Sequence, residues 1–176
     1  MTTGYLFAGF GGQGILFAGK FAAYKGLLED RQVSWLPSYG PEMRGGTASC
    51  SVIVSDEPVG SPIVSHPDVL IAMNLPSFDK YEEAVVPGGR IFIDSTLVER
   101  APVRTDLTVT AVPATRLASE NGIPTLANMI IMGSVLKALG EFDEEKIGAA
   151  LKKVVSAKHA DMLEANLKAL KLGAEY

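Results

Sequence analysis

Tyr5-Leu6-Phe7-Ala8-Gly9-Phe10-Gly11-Gly12-Gln13-Gly14-Ile15-Leu16-Phe17-Ala18, residues 5–18, is the stretch that decides the fold. A short apolar run breaks into glycines and resumes as a proline-free series of helix formers that reaches Leu28. Strand, glycine turn and helix in that order form the opening unit of a doubly wound sheet. Gly9, Gly11 and Gly14 satisfy G-x-G-x-x-G. Such glycines allow a tight turn and let backbone amides approach a diphosphate held at a helix N-terminus. They serve equally well to let a helix pack closely on a strand with no ligand between them.

Outward from this unit, Gln32 to Leu36 reads as a second strand stopped by Pro37. A nicotinamide dinucleotide requires an acid at the end of that strand for the ribose hydroxyl. The strand instead closes on Ser34-Trp35-Leu36-Pro37, and Glu29 and Asp30 fall before it, so dinucleotide binding of that type is disfavoured. Ser38 to Gly46, SYGPEMRGG, is a loop by composition, with three glycines and a proline in nine residues. It follows the carboxyl end of a strand, where open α/β sheets bind ligands. Arg44 beside Gly45 and Gly46 offers a guanidinium and free amides to a carboxylate or phosphate. Glu42 could orient that guanidinium, and Tyr39 supplies a stacking face. The plainer reading is a Glu42–Arg44 surface pair on an ordinary turn.

The remaining chain alternates in the same manner. Thr47–Val54, Val69–Met73, Arg90–Asp94 and Thr108–Val112 read as strands, with a short helix between Pro76 and Val85. From Ala114 onward the pattern is helical. Thr125 to Leu139 is apolar almost all round, with Gly140 as its C-cap, so burial on several sides is expected. Asp143 to Val155 has acids at its start and Lys152-Lys153 at its end, matching the helix dipole. Ala160 to Leu172 is a final amphipathic helix. Asn128 is polar within the apolar helix and needs a hydrogen-bond partner, from a loop or from another subunit. Asn74 and Asp94 end strands on the glycine-turn edge, as caps or as crevice-lining groups. The expected fold is a three-layer α/β/α, Rossmann-like, doubly wound and mostly parallel sheet. It forms one domain over residues 1–176 with a helical C-terminal third.

Composition limits the chemistry. The chain of 176 residues has one cysteine, Cys50, and two histidines, His66 and His159. An iron–sulfur cluster needs about four thiolates, and the histidines have no metal-ligand spacing. A net charge of −4 gives no electrostatic case for nucleic acid. No apolar stretch is long enough to span a bilayer, and the N-terminus lacks a signal peptide's basic region, so a cytoplasmic location is expected. With 47% hydrophobic residues and mean hydropathy of +0.20, part of the surface is expected to be covered by other subunits.

GFGGQG (9–14), SYGPEMRGGTASCSVIVSDEPVGSPIV (38–64), IPTLANMIIMGSVLKALG (123–140) and AKHADMLEANLKALKLG (157–173) together resemble the gamma subunits of 2-oxoacid:ferredoxin oxidoreductases. The resemblance implies a hetero-oligomeric, thiamine-diphosphate-dependent complex. Such a complex converts a 2-oxoacid, coenzyme A and oxidised ferredoxin into acyl-CoA, CO2 and reduced ferredoxin. It implies that thiamine diphosphate, magnesium and iron–sulfur clusters sit on partner alpha, beta or delta subunits. The gamma chain then has no catalytic residues or metal of its own, and helps to bind coenzyme A and dock its partners. On that likeness Gly11, Gly12, Gln13 and Gly14 match the glycine turn. Ser38, Tyr39, Gly40, Glu42, Arg44, Gly45 and Gly46 match the interface loop. The wording of 38–64 is more similar to 2-oxoglutarate or branched-chain members than to pyruvate members, and implies a 2-oxoglutarate synthase. A different class of reading is a stand-alone nucleotide-binding regulatory module that uses the glycine turn.

Overall fold

The computed structural model describes residues 1–38 and 47–176. Among these residues six strands form one sheet: β1 (Thr2–Phe10), β2 (Gln32–Ser38), β3 (Thr47–Ser55), β4 (Val69–Ala72), β5 (Arg90–Asp94) and β6 (Thr108–Val112). Six α-helices accompany them: α1 (Ile15–Leu28), α2 (Leu75–Tyr81), α3 (Ala114–Glu120), α4 (Ala127–Ala138), α5 (Glu144–Val154) and α6 (Met162–Glu175). The sheet order is β2-β3-β1-β4-β5-β6. β1, β4, β5 and β6 are parallel neighbours, whereas β3 runs antiparallel to both β1 and β2.

This is the expected α/β fold with one rearrangement. In a nucleotide-binding half, the strand after α1 lies directly beside β1. Here β2 is displaced to the outer edge, and β3 turns back to occupy that seat. Pro37 does not end β2, contrary to expectation: the strand continues to Ser38, and Pro37 lies opposite Cys50. An edge strand tolerates a proline because one side of its backbone has no ladder to feed.

Strand periodicity divides the interior into two cores. Tyr5, Phe7, Val69, Ile71 and Phe92 point to one face and meet α1, α4, α5 and α6. Leu6, Leu70, Ala72, Ile91 and Ile93 point to the other and meet α2 through Phe78. Asn74 caps α2, its Oδ1 accepting from Ser77 N at 2.8 Å. Asp94, fully buried at the end of β5, accepts from the backbone N–H of Thr115 in α3 and of Thr96, both at 3.1 Å. Both acids and amides at the strand ends are thus engaged in starting local structure.

The C-terminal third is helical, as its pattern predicts. Gly140, at φ 70°, follows the end of α4, and Glu141 N returns to Leu136 O at 2.8 Å. Asp143 caps α5 by accepting from the N–H groups of Glu145 and Lys146. α4 and α6 cross with their backbones in contact. A methyl built on Gly133 would lie 2.7 Å from the Leu170 carbonyl carbon, and one on Gly173 would lie 2.7 Å from that of Ile130. The crossing seats α6 on α4, with Ala169 and Leu170 fully buried in the contact. Among the described residues no helix is long and apolar enough to cross a membrane.

Candidate functional site: the glycine turn at the β1–β4 switch point

Strand order reverses between β1 and β4, so their carboxyl ends frame the crevice where open α/β sheets bind ligands. The turn Gly11–Gly14 rises from the end of β1 at this crevice. Gly12 and Gly14 adopt φ of 88° and 71°, the left-handed region that side chains rarely enter. The two glycines differ in their surroundings. A methyl on Gly12 would meet nothing within 4 Å, whereas one on Gly14 would sit 2.8 Å from Cγ of Asn128.

Gln13 closes the floor of the crevice. Its Oε1 accepts from Phe10 N at 2.6 Å and from Asn74 Nδ2 at 3.3 Å, and its Nε2 donates to Met73 O at 3.1 Å. The partners fix the amide orientation, since a carbonyl can only accept. One side chain therefore ties the end of β1 to the end of β4. Sequence reasoning found Gln13 as part of a motif; its role as a bracket follows only from the sheet order.

Asn128 supplies the second support. Its Nδ2 donates to Gly14 O at 3.0 Å, which joins the start of α4 to the turn. That is the loop contact its polar position in an apolar helix called for. Among the described residues no side chain caps the N-terminus of α1, and its first turn contains no acid. The amides there are left to solvent or to an anionic guest. A cleft of about 310 Å³ lies against them, lined by Phe10, Gly11, Gly12, Leu16, Phe17 and Ala48 among others.

The topology also decides against a nicotinamide dinucleotide. The place beside β1, where a parallel strand would end in the ribose-binding acid, holds the start of antiparallel β3 at Thr47–Ala48. Ser38, exposed, ends β2 at this same edge of the sheet, opposite Ser49. Tyr39, Gly40, Glu42, Arg44, Gly45 and Gly46 lie outside the described residues; the segment that carries them leaves from Ser38 and re-enters at Thr47.

Other polar groups have structural duties. Glu82, 2% exposed, accepts from Arg100 Nη2 at 2.7 Å, Val103 N at 2.6 Å and Arg104 N at 3.1 Å, pinning the β5–β6 connection. Burial alone would raise its pKa, but these hydrogen bonds outweigh burial and hold it below 4.5. Burial pushes the Cys50 thiol up to about 12, against a small opposing contact from Trp35. His66 is exposed near Ala84 O. Among the described residues no three His, Cys, Asp or Glu side chains are grouped to hold a metal ion.

Comparison with known proteins places the whole arrangement. The family model described as pyruvate ferredoxin/flavodoxin oxidoreductase matches residues 5–176. Ketoisovalerate oxidoreductase subunit VorA of Methanothermobacter thermautotrophicus is 43% identical over 173 residues, covering 96% of this chain and 35% of that protein. The chain thus spans about a third of that relative's length. 2-Oxoglutarate synthase subunit KorC of Methanocaldococcus jannaschii is 35% identical over 148 residues, covering 82% of this chain and 79% of KorC. The crystal structure of a keto/oxoacid ferredoxin oxidoreductase gamma subunit from Geobacter sulfurreducens superposes with a TM-score of 0.83 at 29% identity, covering 98% and 96% of the two chains. A 2-oxoglutarate:ferredoxin oxidoreductase from Magnetococcus marinus, solved with 2-oxoglutarate, coenzyme A and succinyl-CoA, shares the fold with a TM-score of 0.86 at 23% identity, covering 99% of this chain and 31% of that one. With this fold, this turn and a match from Tyr5 to the last residue, the chain belongs to the pyruvate ferredoxin/flavodoxin oxidoreductase family, and its relatives include gamma subunits of 2-oxoacid:ferredoxin oxidoreductases.

Proposed function

We propose that the chain serves as the gamma part of a thiamine-diphosphate-dependent 2-oxoacid:ferredoxin oxidoreductase, and that its glycine turn receives the diphosphate of coenzyme A. The observation that carries this reading is the uncapped, acid-free N-terminus of α1 opening onto a glycine-lined cleft at the switch point. Gln13 and Asn128 hold the turn rigid from two sides, so its amides are oriented before a ligand arrives. Arg44, in the segment between Ser38 and Thr47, adds a guanidinium toward the same anion or toward a partner subunit. Decarboxylation, thiamine diphosphate, magnesium and electron transfer to ferredoxin belong to the alpha, beta and delta partners in this reading. The gamma chain positions the thiol acceptor and completes the assembly in the cytoplasm.

For the 2-oxoacid, the greater identity to a ketoisovalerate subunit than to 2-oxoglutarate subunits favours a branched-chain substrate over the 2-oxoglutarate that the loop wording implied. The test is purification of the tagged chain with its partners, then viologen reduction with ketoisovalerate, 2-oxoglutarate and pyruvate, each with and without coenzyme A. The expected result is CoA-dependent turnover fastest with ketoisovalerate, and a raised KM for coenzyme A in Arg44→Ala. Purification of the chain alone, or a complex whose coenzyme A kinetics ignore both Arg44→Ala and Gly12→Ala, overturns the assignment.

A further inference from the structure

β2 is the outer strand of the sheet, and among the described residues nothing pairs with its free side. One residue fixes which backbone groups face that side. The β2–β3 register runs without a bulge from Gln32 opposite Ser55 to Ser38 opposite Ser49. In an antiparallel ladder, residue pairs that exchange both N–H···O bonds alternate with pairs that exchange none. Pro37, opposite Cys50, has no N–H and so belongs to the second kind. Gln32, Ser34, Leu36 and Ser38 therefore bond to β3, while Val33, Trp35 and Pro37 turn their backbone groups outward. The N–H groups of Val33 and Trp35 and the carbonyls of all three are open to a further strand. Sheet edges are ordinarily blunted by charges, bulges or short length. β2 has seven residues, no charged side chain and an unbroken register, and Pro37 is its one such device. Trp35 and Leu36, 39% and 38% exposed, lie on opposite faces of the strand. Leu27 and Leu28 are exposed at the end of α1, which packs on β2 where Gly26 meets Val33. The opposite edge, β6, has five residues and exposes only Thr108 and Ala111.

We propose that β2 pairs with β2 of a second copy of this chain, antiparallel, about a twofold axis at Trp35. The strand is complementary to itself in three respects, which selects a second copy over a strand of other sequence. Trp35 is the middle residue of Gln32–Ser38, so pairing on it aligns the whole strand, with Val33 against Pro37 and Ser34 against Leu36 of the other copy. The backbone groups of Trp35 face outward, so the two Trp35 residues exchange both bonds across the axis. Val33 N–H then donates to the Pro37 carbonyl of the other copy, and the N–H that Pro37 lacks is the only donor missing from the ladder. With no charge between Gln32 and Ser38, identical strands meet without like-charge repulsion. On the α1 face the two Trp35 rings form a cross-strand aromatic pair flanked by Val33 and Pro37. A contact of one strand and its side chains is small, so the dimer is of micromolar strength.

Trp35 is the only tryptophan of the chain, so its emission reports on this edge alone. The experiment is analytical ultracentrifugation of the full chain from about 1 to about 200 µM, with Trp35 emission followed over the same range. The expected result is a monomer–dimer equilibrium, with emission shifting to the blue as the dimer forms. Trp35→Lys sets two like charges face to face on the axis and should weaken the dimer at least tenfold. Pro37→Val removes no packing residue and supplies the missing N–H once per copy; it should tighten the dimer about tenfold. That gain distinguishes strand pairing from unspecific apolar association, and it remains readable if Trp35→Lys fails to fold. A chain that stays monomeric throughout, or a dimer that Pro37→Val does not tighten, overturns the proposal. An assembled complex that holds a single copy of the chain, with slow hydrogen exchange at the Val33 and Trp35 amides, gives the edge to another subunit and overturns it as well.

Discussion

Replacing Gly133 by alanine tests the α4–α6 crossing. The added methyl would overlap the Leu170 carbonyl oxygen outright and lie 2.7 Å from its carbon, where ordinary contact begins at 3.4 Å, so the helices must part by more than the 0.7 Å that the carbon alone demands. The obstacle is backbone, which no rotamer change can move aside. A gap of ~0.5–1 Å forfeits about a quarter to a half of each facing atom pair's attraction, and overpacking a tight core costs ~1–3 kcal/mol in all. The residues here, Met129, Ile130, Ala169 and Leu170, are fully buried, which places the strain near ~3 kcal/mol. Alanine's better helix propensity returns about 1 kcal/mol, for a net loss of about 2 kcal/mol. In a chain of this size that lowers Tm by about 4–8 °C. Gly148→Ala in α5 is the matched control: its methyl would meet nothing within 4 Å, so only the propensity gain remains, about 0.5–1 kcal/mol of added stability. Urea unfolding with unchanged m-values gives both numbers. If Gly133→Ala proves as stable as wild type, the two helices do not meet backbone to backbone.

Three further outcomes follow from the same geometry. Gly14→Ala and Gly12→Ala both force alanine into a left-handed conformation, at about 1–2 kcal/mol each, but only Gly14→Ala also displaces Asn128; its urea midpoint should be the lower by at least ~1 kcal/mol of stability, and equal midpoints would remove Asn128 as the brace of the turn. The Glu82 carboxyl has a lower pKa folded than unfolded, so the unfolded chain binds the extra proton; stability from Glu82 is complete above its ordinary value of 4.5 and declines as pH falls below it. Glu82→Gln should flatten that acid decline in urea melts between pH 6 and 3, though lowering stability at neutral pH by leaving Arg100 underpaired; an undiminished acid slope in the variant contradicts the assignment. Cys50, fully buried with its thiol pushed up to about 12, should not react with an aromatic disulfide reagent at pH 8 until the chain unfolds; stoichiometric labelling of the native chain within seconds contradicts the packing under α1.

Local order was readable because each element announces itself within a few residues. The glycine turn, the apolar runs at Val69 and Arg90, the acidic start and basic end of α5, and Gly140 all depend on neighbours in sequence, and the structure agrees with them. Pro37 misled because the rule that proline ends a strand presumes pairing on both sides, and β2 has a partner on one side only. The seat of β3 was not legible at all. Alternation in Thr47–Val54 says that a strand has two faces, but not which neighbour it takes or in which direction it runs. Asn166 escaped notice for a related reason: in an amphipathic helix, one asparagine among lysines and glutamates reads as surface until a second helix is laid across it.

The position of β3 links fold and function more tightly than the glycine motif does. A G-x-G-x-x-G turn presents the same amides whichever strand lies beside β1, and so it cannot by itself distinguish one diphosphate ligand from another. What distinguishes them is the neighbouring seat. A parallel strand there ends at the ligand edge and can place an acid against a ribose; an antiparallel strand begins there and brings in whatever chain precedes it. In this protein the preceding chain is Ser38-Tyr39-Gly40-Pro41-Glu42-Met43-Arg44-Gly45-Gly46, which holds an acid, Glu42, and a cation, Arg44, two residues apart. In the proposed reading, Arg44 makes that neighbouring seat an anion receptor where a dinucleotide fold has a hydroxyl acceptor. Gln13 bridges the ends of β1 and β4 beneath the turn, and the first turn of α1 stays open to the cleft lined by Gly11 and Gly12.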